Sequence, residues 1–439
     1  MSVYNLIHDA YYGTGGFAGP YLIKHGRETE DNYRNRIRMA YYMNYFAPIV
    51  NALVDPVFKK PAMRDWTGAA DTIIGDFLHD VDGAGTDINN FMRRAALQAK
   101  LYGGVFIVVE NWSQRDQPDN MQDVLEGRKF PYAYMVTPDR VTSCDIDKDG
   151  RIRSIRFTEV SEEKDGTEKY RTAYYDAETW QIELDGRIIS AGKHGLGMAP
   201  VVFFPAQEFR LGEIHPVPEV YPLAQVSVAL YNHCSWLTEI LRNDTFPILT
   251  FPSREATDIT IGTNNALCYD GETVKFQPGF IAPPNEPASM LQSQISLLIQ
   301  EMYRMAGLSF ATGTKQETSG IARQWEFERT NQRLSALAQK CKKAEMLMIN
   351  ILMRWINLES TYTVSYPTDY GITDIATEMN TAQAVLDMGF GSEMEIEVAK
   401  KVLSVYAADI TADRFDEIID SIKAQKREPD YNNPPGNNA

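Results

Sequence analysis

The sequence predicts an α+β fold, and three observations lead to it. Helical periodicity runs from residue 31 to residue 102, short β-branched and aromatic runs follow as far as residue 204, and helical spacing returns after Pro218. The chain has 439 residues, of which 44% are hydrophobic and 23% are charged. Such values are typical of a globular protein with a sizeable core, and about 100 to 200 residues per domain allow two to four packing units.

Helices come first and strands second in residues 31–218. Asp87 is a candidate N-cap for a helix over residues 88–102, which Gly103 and Gly104 terminate. Three Asp-Gly pairs then stand between the expected strands, and Asp-Gly is a strong short-range signal for a hairpin. We therefore expect a meander with strands at 105–110, 132–136, 151–160, 170–175, 179–184 and 201–204.

Long helices dominate the second half. Residues 219–243 form one predicted helix whose apolar side chains surround its axis, which indicates contact with partners on most sides. A segment of short strands rich in Pro follows, then a helix that begins near Ala288, and finally helical spacing over residues 321–358. Gly-rich residues 1–30 are expected to be a flexible arm, and residues 428–439 a disordered tail.

Composition excludes several classes of protein. There are 43 Lys and Arg against 59 Asp and Glu, a formal charge of −16, so no general basic surface is available for reading DNA sequence. The four Cys lie far apart without a Cys-x-x-Cys pair, which favours reduced thiols over disulfides or a zinc site. Because the start of the chain lacks a signal-peptide pattern and no apolar run reaches 18 residues, we expect a soluble protein that is intracellular where it is made.

Several motifs resemble ligand-binding sites but lack a residue or a spacing that such sites require. Asp145, Asp147 and Asp149 before Gly150 resemble a calcium loop, but Arg156 occupies the position of the bidentate Glu, so we interpret the stretch as a hairpin turn. Neither of two Gly-rich stretches has the spacing of a phosphate-binding loop, and no two His are spaced as metal ligands. The sequence therefore predicts no catalytic residue, no metal and no cofactor.

A polar loop joins the last two long helices. An exposed surface connection is its simplest interpretation, and the alternative is a loop that projects into whatever space an assembly encloses. Its polar residues include Thr312, Thr314, Lys315, Gln316 and Glu317.

Three stretches resemble the portal proteins of tailed bacteriophages. They are YMNYFAPIVNALVDPVFKKP at residues 42–61, LQAKLYGGVFIVVE at residues 97–110, and ETSGIARQWEFE at residues 317–328. The third is the most specific, since it is similar to the family's Ser-Gly-Ile-Ala start of a long kinked helix after the tunnel loop. The order of elements also parallels the family over nearly the full chain, although the Pro-rich clip is short and the crown is small.

This resemblance implies a portal-like fold with a mixed α/β wing, a two-helix stem, a small β clip, a long kinked helix and an α-helical crown. The expected divisions are the wing at 31–218, stem helices at 219–244 and 288–307, the clip at 245–287, the tunnel loop at 308–319, the long helix returning to the wing at 320–374, and the crown at 375–427.

Site residues also follow from the resemblance. The tunnel-loop residues named above would face DNA, and the long helix would start at Ser319, Gly320, Ile321, Ala322 and Arg323. Contacts between copies in the stem would come from Leu223, Val226, Leu230, Trp236, Leu237, Leu291, Ile295 and Leu298.

The implied function is a ring, usually of twelve copies, at one vertex of the capsid, assembled in the bacterial cytoplasm and serving as a conduit for double-stranded DNA. Implied partners are the large terminase subunit, the scaffold and major capsid proteins, and head-to-tail adaptor proteins, and no membrane is involved. An acidic chain suits a conduit because Lys and Arg would hold the phosphates of a passing duplex. Two alternatives stay open, namely an enzyme without a recognisable motif and another structural virion component.

Overall fold

The computed structural model describes residues 2–67, 71–111, 131–148, 150–162, 168–208, 214–245, 248–252, 266–269, 279–281, 286–308, 320–367 and 370, with isolated positions beyond residue 382. The described part combines helices with mainly antiparallel sheets and confirms the α+β class. Nearly all of the predicted crown and tail, and the tunnel loop after Leu308, lie outside the described residues.

A three-stranded antiparallel sheet lies at the centre of the first half. Its middle strand β2, Gly104–Glu110, pairs with β3, Tyr132–Val136, on one side and with β9, Val201–Pro205, on the other. Because successive side chains of a strand alternate between faces, β2 contributes Val105 and Ile107 to one core, and Phe106 and Val108 to another. One sheet thus separates two hydrophobic cores.

Helices cover the first face of this sheet. Helix α4 is Asp71–His79, and α5, Ile88–Tyr102, begins where the Asp87 carboxylate accepts hydrogen bonds from the backbone N–H groups of Asn89 and Asn90. Helix α5 ends at Gly103, whose φ of 79° lies in the left-handed region, as its sequence predicts. Both helices pack into this core with the long helix α8, Gly320–Trp355.

A five-stranded antiparallel meander covers the second face. It contains β4 (Val141–Ile146), β5 (Ile152–Glu162), β6 (Glu168–Tyr175), β7 (Thr179–Leu184) and β8 (Arg187–Lys193), paired in chain order. The suspected calcium loop is the turn between β4 and β5, in which the Asp147 carboxylate accepts from the Arg151 backbone. Asp185 and Gly186, both at positive φ, form the turn between β7 and β8.

Helix α8 is fixed to a two-stranded ribbon by one buried carboxylate. The ribbon pairs β1, Met63–Thr67, with β13, Thr361–Ser365. Glu345, which is 0% exposed, accepts from the Arg64 guanidinium at 2.7 and 3.2 Å and from the hydroxyls of Tyr362 and Tyr366. Burial and the charge of Glu345 raise the pKa values of both tyrosines, so each hydroxyl keeps its proton and donates.

A helical hairpin begins the second half. Helix α6, Tyr221–Thr245, packs against α7, Glu286–Ala306. Between them in sequence lies a three-stranded sheet, in which β10 (Ile248–Pro252) pairs with β11 (Ala266–Tyr269) and β12 (Gly279–Ile281). These elements fall where the sequence predicts two helices with short strands between them.

The expectation of a flexible arm over residues 1–30 is wrong. Residues Val3–Tyr12 form helix α1, which buries Leu6, Ile7 and Ala10 in a third core. Asn232 on α6 accepts from the Ile23 backbone N–H and donates to the Tyr21 carbonyl, at 2.7 and 2.9 Å. The sequence analysis did not predict α1 because the helix is short and is followed directly by a Gly-rich stretch, so the apolar period is not sustained. Its burial depends on contacts with a distant part of the chain.

The same third core holds α2, Glu30–Met39, and α3, Phe46–Ala52, against the hairpin. On α2, the almost wholly buried guanidinium of Arg36 pairs with Glu28 at 2.8 Å and donates to Ser235 on α6. Sequence analysis also missed β1, β4, β8 and β13, which are edge or ribbon strands that carry several polar residues.

We predict that Glu345→Gln lowers the free energy of unfolding by about 3 to 5 kcal/mol, because it leaves the Arg64 charge buried without its counter-ion. Urea unfolding followed by circular dichroism measures the change. Gln339→Ala, an exposed position on the same helix, is the matched control and should change stability by less than about 0.5 kcal/mol. A loss below about 1 kcal/mol for Glu345→Gln would show that the helix does not depend on this pair.

Candidate functional site

The predicted stem contacts on α6 divide into two groups. Leu223 and Leu230 are 4% and 1% exposed and belong to the third core of their own chain. They leave no surface for a neighbouring copy, which corrects their predicted role. Val226 is half-buried against the same core, whereas Trp236 and Leu237 are half-buried nearer the hairpin tip. A contact of these three half-buried side chains with a partner stays a prediction.

Helix α7 shows the same division more sharply. Leu291, Ile295 and Leu298, predicted as contacts between copies, pack against the third core of their own chain. The apolar period that singles them out therefore marks the intramolecular face of the helix. Since these three side chains are only half-buried, an additional contact with a neighbour stays a prediction.

The outer face of α7 carries apolar side chains that the sequence analysis overlooked. Met290 is 73% exposed, Leu297 48% and Met305 36%, and Leu241 near the end of α6 is 45% exposed. Met290 and Leu297 are seven residues apart, so they lie on one side of the helix about two turns apart. We call Met290, Leu297 and Met305 the outer stripe. The seven-residue spacing of Met290 and Leu297 is the sequence feature that could have predicted it.

The residues predicted to face DNA lie outside the described part of the chain. Thr312, Thr314, Lys315, Gln316, Glu317 and Ser319 are all in that gap, and the structure describes only the helical backbone of Gly320, Ile321, Ala322 and Arg323. Helix α8 starts at Gly320 and ends at Trp355, so the predicted long-helix segment 320–374 also contains strand β13.

The chain just before this gap is hydrogen-bonded to the long helix that follows it. The Thr330 hydroxyl of α8 donates to the carbonyl of Gly307 at 2.8 Å, and the Arg333 guanidinium donates to the carbonyl of Ala306 at 3.0 Å. Both acceptors lie at the end of α7, where Gly307 has φ +75°. These bonds fix residue 308, the first of the predicted tunnel loop, beside the third turn of α8.

The solvent side of α8 is basic. Glu345 points into the core, so the charged residues that remain outside in the second half of the helix are Lys340, Lys342, Lys343 and Arg354. Together with strand β9 and the start of β5, this side encloses a groove of about 710 Å³. We call it the basic groove, and its charged lining is Arg151, Glu208, Lys340, Lys343 and Arg354.

Two of these cations form hydrogen bonds with backbone carbonyls of the same chain. The Lys340 ammonium donates to the carbonyl of Ala206 at 2.9 Å, and the Arg354 guanidinium donates to the carbonyl of Leu196 at 3.1 Å. Burial lowers the pKa of Lys340, as does the nearby charge of Lys100, while Glu219 and Glu208 oppose the shift. Both cations therefore tie α8 to the chain around β9.

Arg151 and Lys343 are different, because both are exposed and neither forms an ion pair with any residue that the structure describes. Their positive charges stand at the mouth of a groove whose wall contains the apolar side chains of Met198 and Leu347. This chemistry suits an anionic partner that also carries some apolar surface.

Neither a metal centre nor a membrane span emerges from the described residues. No group of three or more His, Cys, Asp or Glu side chains in that part of the chain is arranged to hold an ion. Within the same ranges, no helix combines the length and hydropathy needed to cross a bilayer.

No family model matches the chain, and no curated protein matches its sequence. Its fold is similar to a chain in "Neck of empty GTA particle computed with C6 symmetry", with a TM-score of 0.48, 12% identity, and coverage of 81% of this chain and 90% of that one. A chain in "Virion of native gene transfer agent (GTA) particle" has a TM-score of 0.46, 11% identity, and coverage of 91% and 99%. A third, in "Neck of native GTA particle computed with C12 symmetry", has a TM-score of 0.42, 11% identity, and coverage of 79% and 87%. At TM-scores below 0.5 these similarities carry no conclusion about function.

We predict that Leu223→Asp and Leu297→Asp differ in how strongly they lower the free energy of unfolding. The first places a charge in the third core and should lower the unfolding free energy by more than about 3 kcal/mol, whereas the second alters an exposed position and should cost less than about 1 kcal/mol. Urea unfolding of the dissociated protein distinguishes them. Equal losses would contradict the assignment of Leu223 to the inner and Leu297 to the outer face.

Proposed function

We propose that this chain is a portal protein, which forms a ring at one vertex of a phage-like capsid and conducts double-stranded DNA. The observation that carries the proposal is the order of elements: a mixed α/β half, a helix of 25 residues, a small sheet, a second helix of 21 residues, a short connection, and a helix of 36 residues. This is the order that the resemblance of residues 42–61, 97–110 and 317–328 implies.

The hairpin supports assembly into a ring. At 1.5 Å per residue, α6 and α7 are about 37 and 31 Å long, and one copy of the chain covers only their inner faces. The outer stripe with Leu241, Trp236 and Leu237 remains for a neighbour. Apolar side chains aligned along an exposed helix are characteristic of an interaction surface.

The acidic balance supports a conduit over a DNA-gripping protein. A ring of chains that each carry a formal charge of −16 repels the phosphates of a duplex and gains little from counter-ion release. The terminase, scaffold, capsid and adaptor partners and the location at the portal vertex follow from this proposal. We assign the chain no catalytic role, so the energy of packaging comes from a separate motor.

Light scattering and negative-stain imaging of the purified protein test the ring. We expect a particle near twelve times 49.7 kDa with a central hole. Leu297→Asp combined with Met290→Asp should shift the mass toward the single chain, because charged side chains replace apolar contacts between copies. Gln292→Asp, an exposed polar position on a different side of the same helix from the outer stripe, is the matched control and should leave the ring intact. A wild-type protein that stays a monomer to tetramer would favour the enzyme alternative, and a large assembly without a channel would favour another virion component.

Lys315 is the positive charge that we place in the tunnel loop, where it contacts phosphates transiently during translocation or retention. We predict that particles carrying Lys315→Ala retain less full-length DNA, and that the defect grows as salt is lowered, since electrostatic contacts count most at low ionic strength. Gel analysis of packaged DNA after incubation over a salt series measures the effect. Lys315→Arg keeps the charge and should behave as wild type. Normal packaging and retention by Lys315→Ala at every salt concentration would remove this role.

A further inference from the structure

The basic groove has an electrostatic counterpart elsewhere on the same chain. Residues 65–87 contain six Asp and no Lys or Arg. Asp76 in α4 and Asp80 just after its end are exposed, and Asp82 follows in the next bend. We call Asp76, Asp80 and Asp82 the acidic patch.

Hydrogen bonds from the backbone hold the carboxylates of Asp80 and Asp82 in place. The Asp80 carboxylate accepts from the Gly85 N–H at 2.8 Å, and the Asp82 carboxylate accepts from Ala84 and Thr86 at 3.0 and 3.2 Å. Burial alone would raise the pKa of Asp82, but hydrogen bonds from Thr86 and Ala84 and the charge of Arg94 lower it, so this carboxylate stays ionised.

The acidic patch and the basic groove lie at opposite edges of the central three-stranded sheet. The backbone N–H of Ala133, on the outer side of β3, donates to the carbonyl of Val81 at 2.8 Å, which holds the patch at the β3 edge. The groove includes Val201, Val202 and Phe203 of β9, the strand at the other edge. The two outer strands are about 10 Å apart, because neighbouring strands are separated by about 4.8 Å.

We propose that the basic groove of one copy receives the acidic patch of a second copy of this chain. The inference rests on the proposed ring and names a contact within it. A contact between two different patches of identical chains is heterologous, and such contacts close into a ring when the rotation between copies is suitable. Opposite edges of one sheet provide the required arrangement, since each copy offers its groove to one neighbour and its patch to the other.

The lining of the groove favours a protein partner over DNA. It includes Glu208 and the apolar side chains of Met198 and Leu347 beside the cations. The cations Arg151, Lys340, Lys343 and Arg354 outweigh Glu208 and leave the groove net positive. Carboxylates such as those of the acidic patch complement this charge, whereas the apolar walls offer nothing to a phosphate backbone. Carboxylates are also abundant on this chain, at 59 Asp and Glu.

Charge reversal in two separate variants tests the contact. The groove variant carries Arg151→Glu and Lys343→Glu, which leaves the anchoring cations Lys340 and Arg354 in place. The patch variant carries Asp76→Lys and Asp80→Lys, and Asp76→Lys alone is a second version that keeps the Asp80 hydrogen bond. Arg187→Glu with Lys193→Glu on exposed strand β8 is the control that applies the same charge change as the groove variant. Circular dichroism and thermal melting establish that each variant is folded.

Light scattering at about 0.1 M salt gives the assembled mass. We expect each reversed variant alone to require roughly tenfold more protein to assemble, since opposed charges become like charges across the contact. A mixture of the groove and patch variants should assemble again, with alternating copies and an even number, because each reversed groove then meets a reversed patch. A single chain carrying both reversals should likewise recover.

Each result has a distinct meaning. A wild-type ring with a groove variant that assembles equally well would overturn this contact while the ring stands, and so would a mixture that fails to recover although both variants are folded. A monomeric wild-type protein would overturn the ring and the contact together. If a short DNA duplex binds wild type and not the groove variant while the assembled mass is unchanged, the groove serves DNA and the proposed contact is wrong.

Discussion

The burial of one carboxylate, that of Glu345, determines how several elements pack around the long helix α8. Glu345 lies in the second half of the longest described helix and is fully buried, and Arg64, Tyr362 and Tyr366 supply four hydrogen bonds to its two oxygens. A buried charge is tolerated only with such complete pairing. The ribbon of β1 and β13 therefore has to lie beside α8, and the Arg64 link to Asn89 extends the constraint to α5.

Turning Glu345 inward also determines the charge of the opposite side of the helix. The basic residues of α8 are left outside with their nearest acidic neighbour removed, and two of them reach backbone carbonyls around β9. The same orientation thus creates a positively lined groove on an otherwise acidic protein. The inward orientation of Glu345 therefore explains both the buried ion pair on one face of α8 and the positive charge of the opposite face.

The third core gives the helical hairpin an inner and an outer side. The N-terminal helices, tied to α6 through Asn232 and Arg36, cover the inner side, so the hairpin is supported along its base by its own chain. The exposed large apolar side chains of α7 are those of the outer stripe. A hairpin that is rigid on one side and apolar on the other is suited to association with copies of itself.

The sequence by itself determined the features that depend on near neighbours along the chain. The Asp87 cap, the Gly103 end, the turn at Asp185 and Gly186, and the positions of the three long helices follow from local hydrogen bonding, backbone freedom and periodicity. The tertiary structure alone decided which face of α7 is inner, that Leu223 and Leu230 are buried, that residues 3–12 are helical and anchored, and that Glu345 points inward. An apolar period shows that a face is buried without saying by what, and contacts such as Arg64 with Glu345, 281 residues apart, leave no local signal in the sequence.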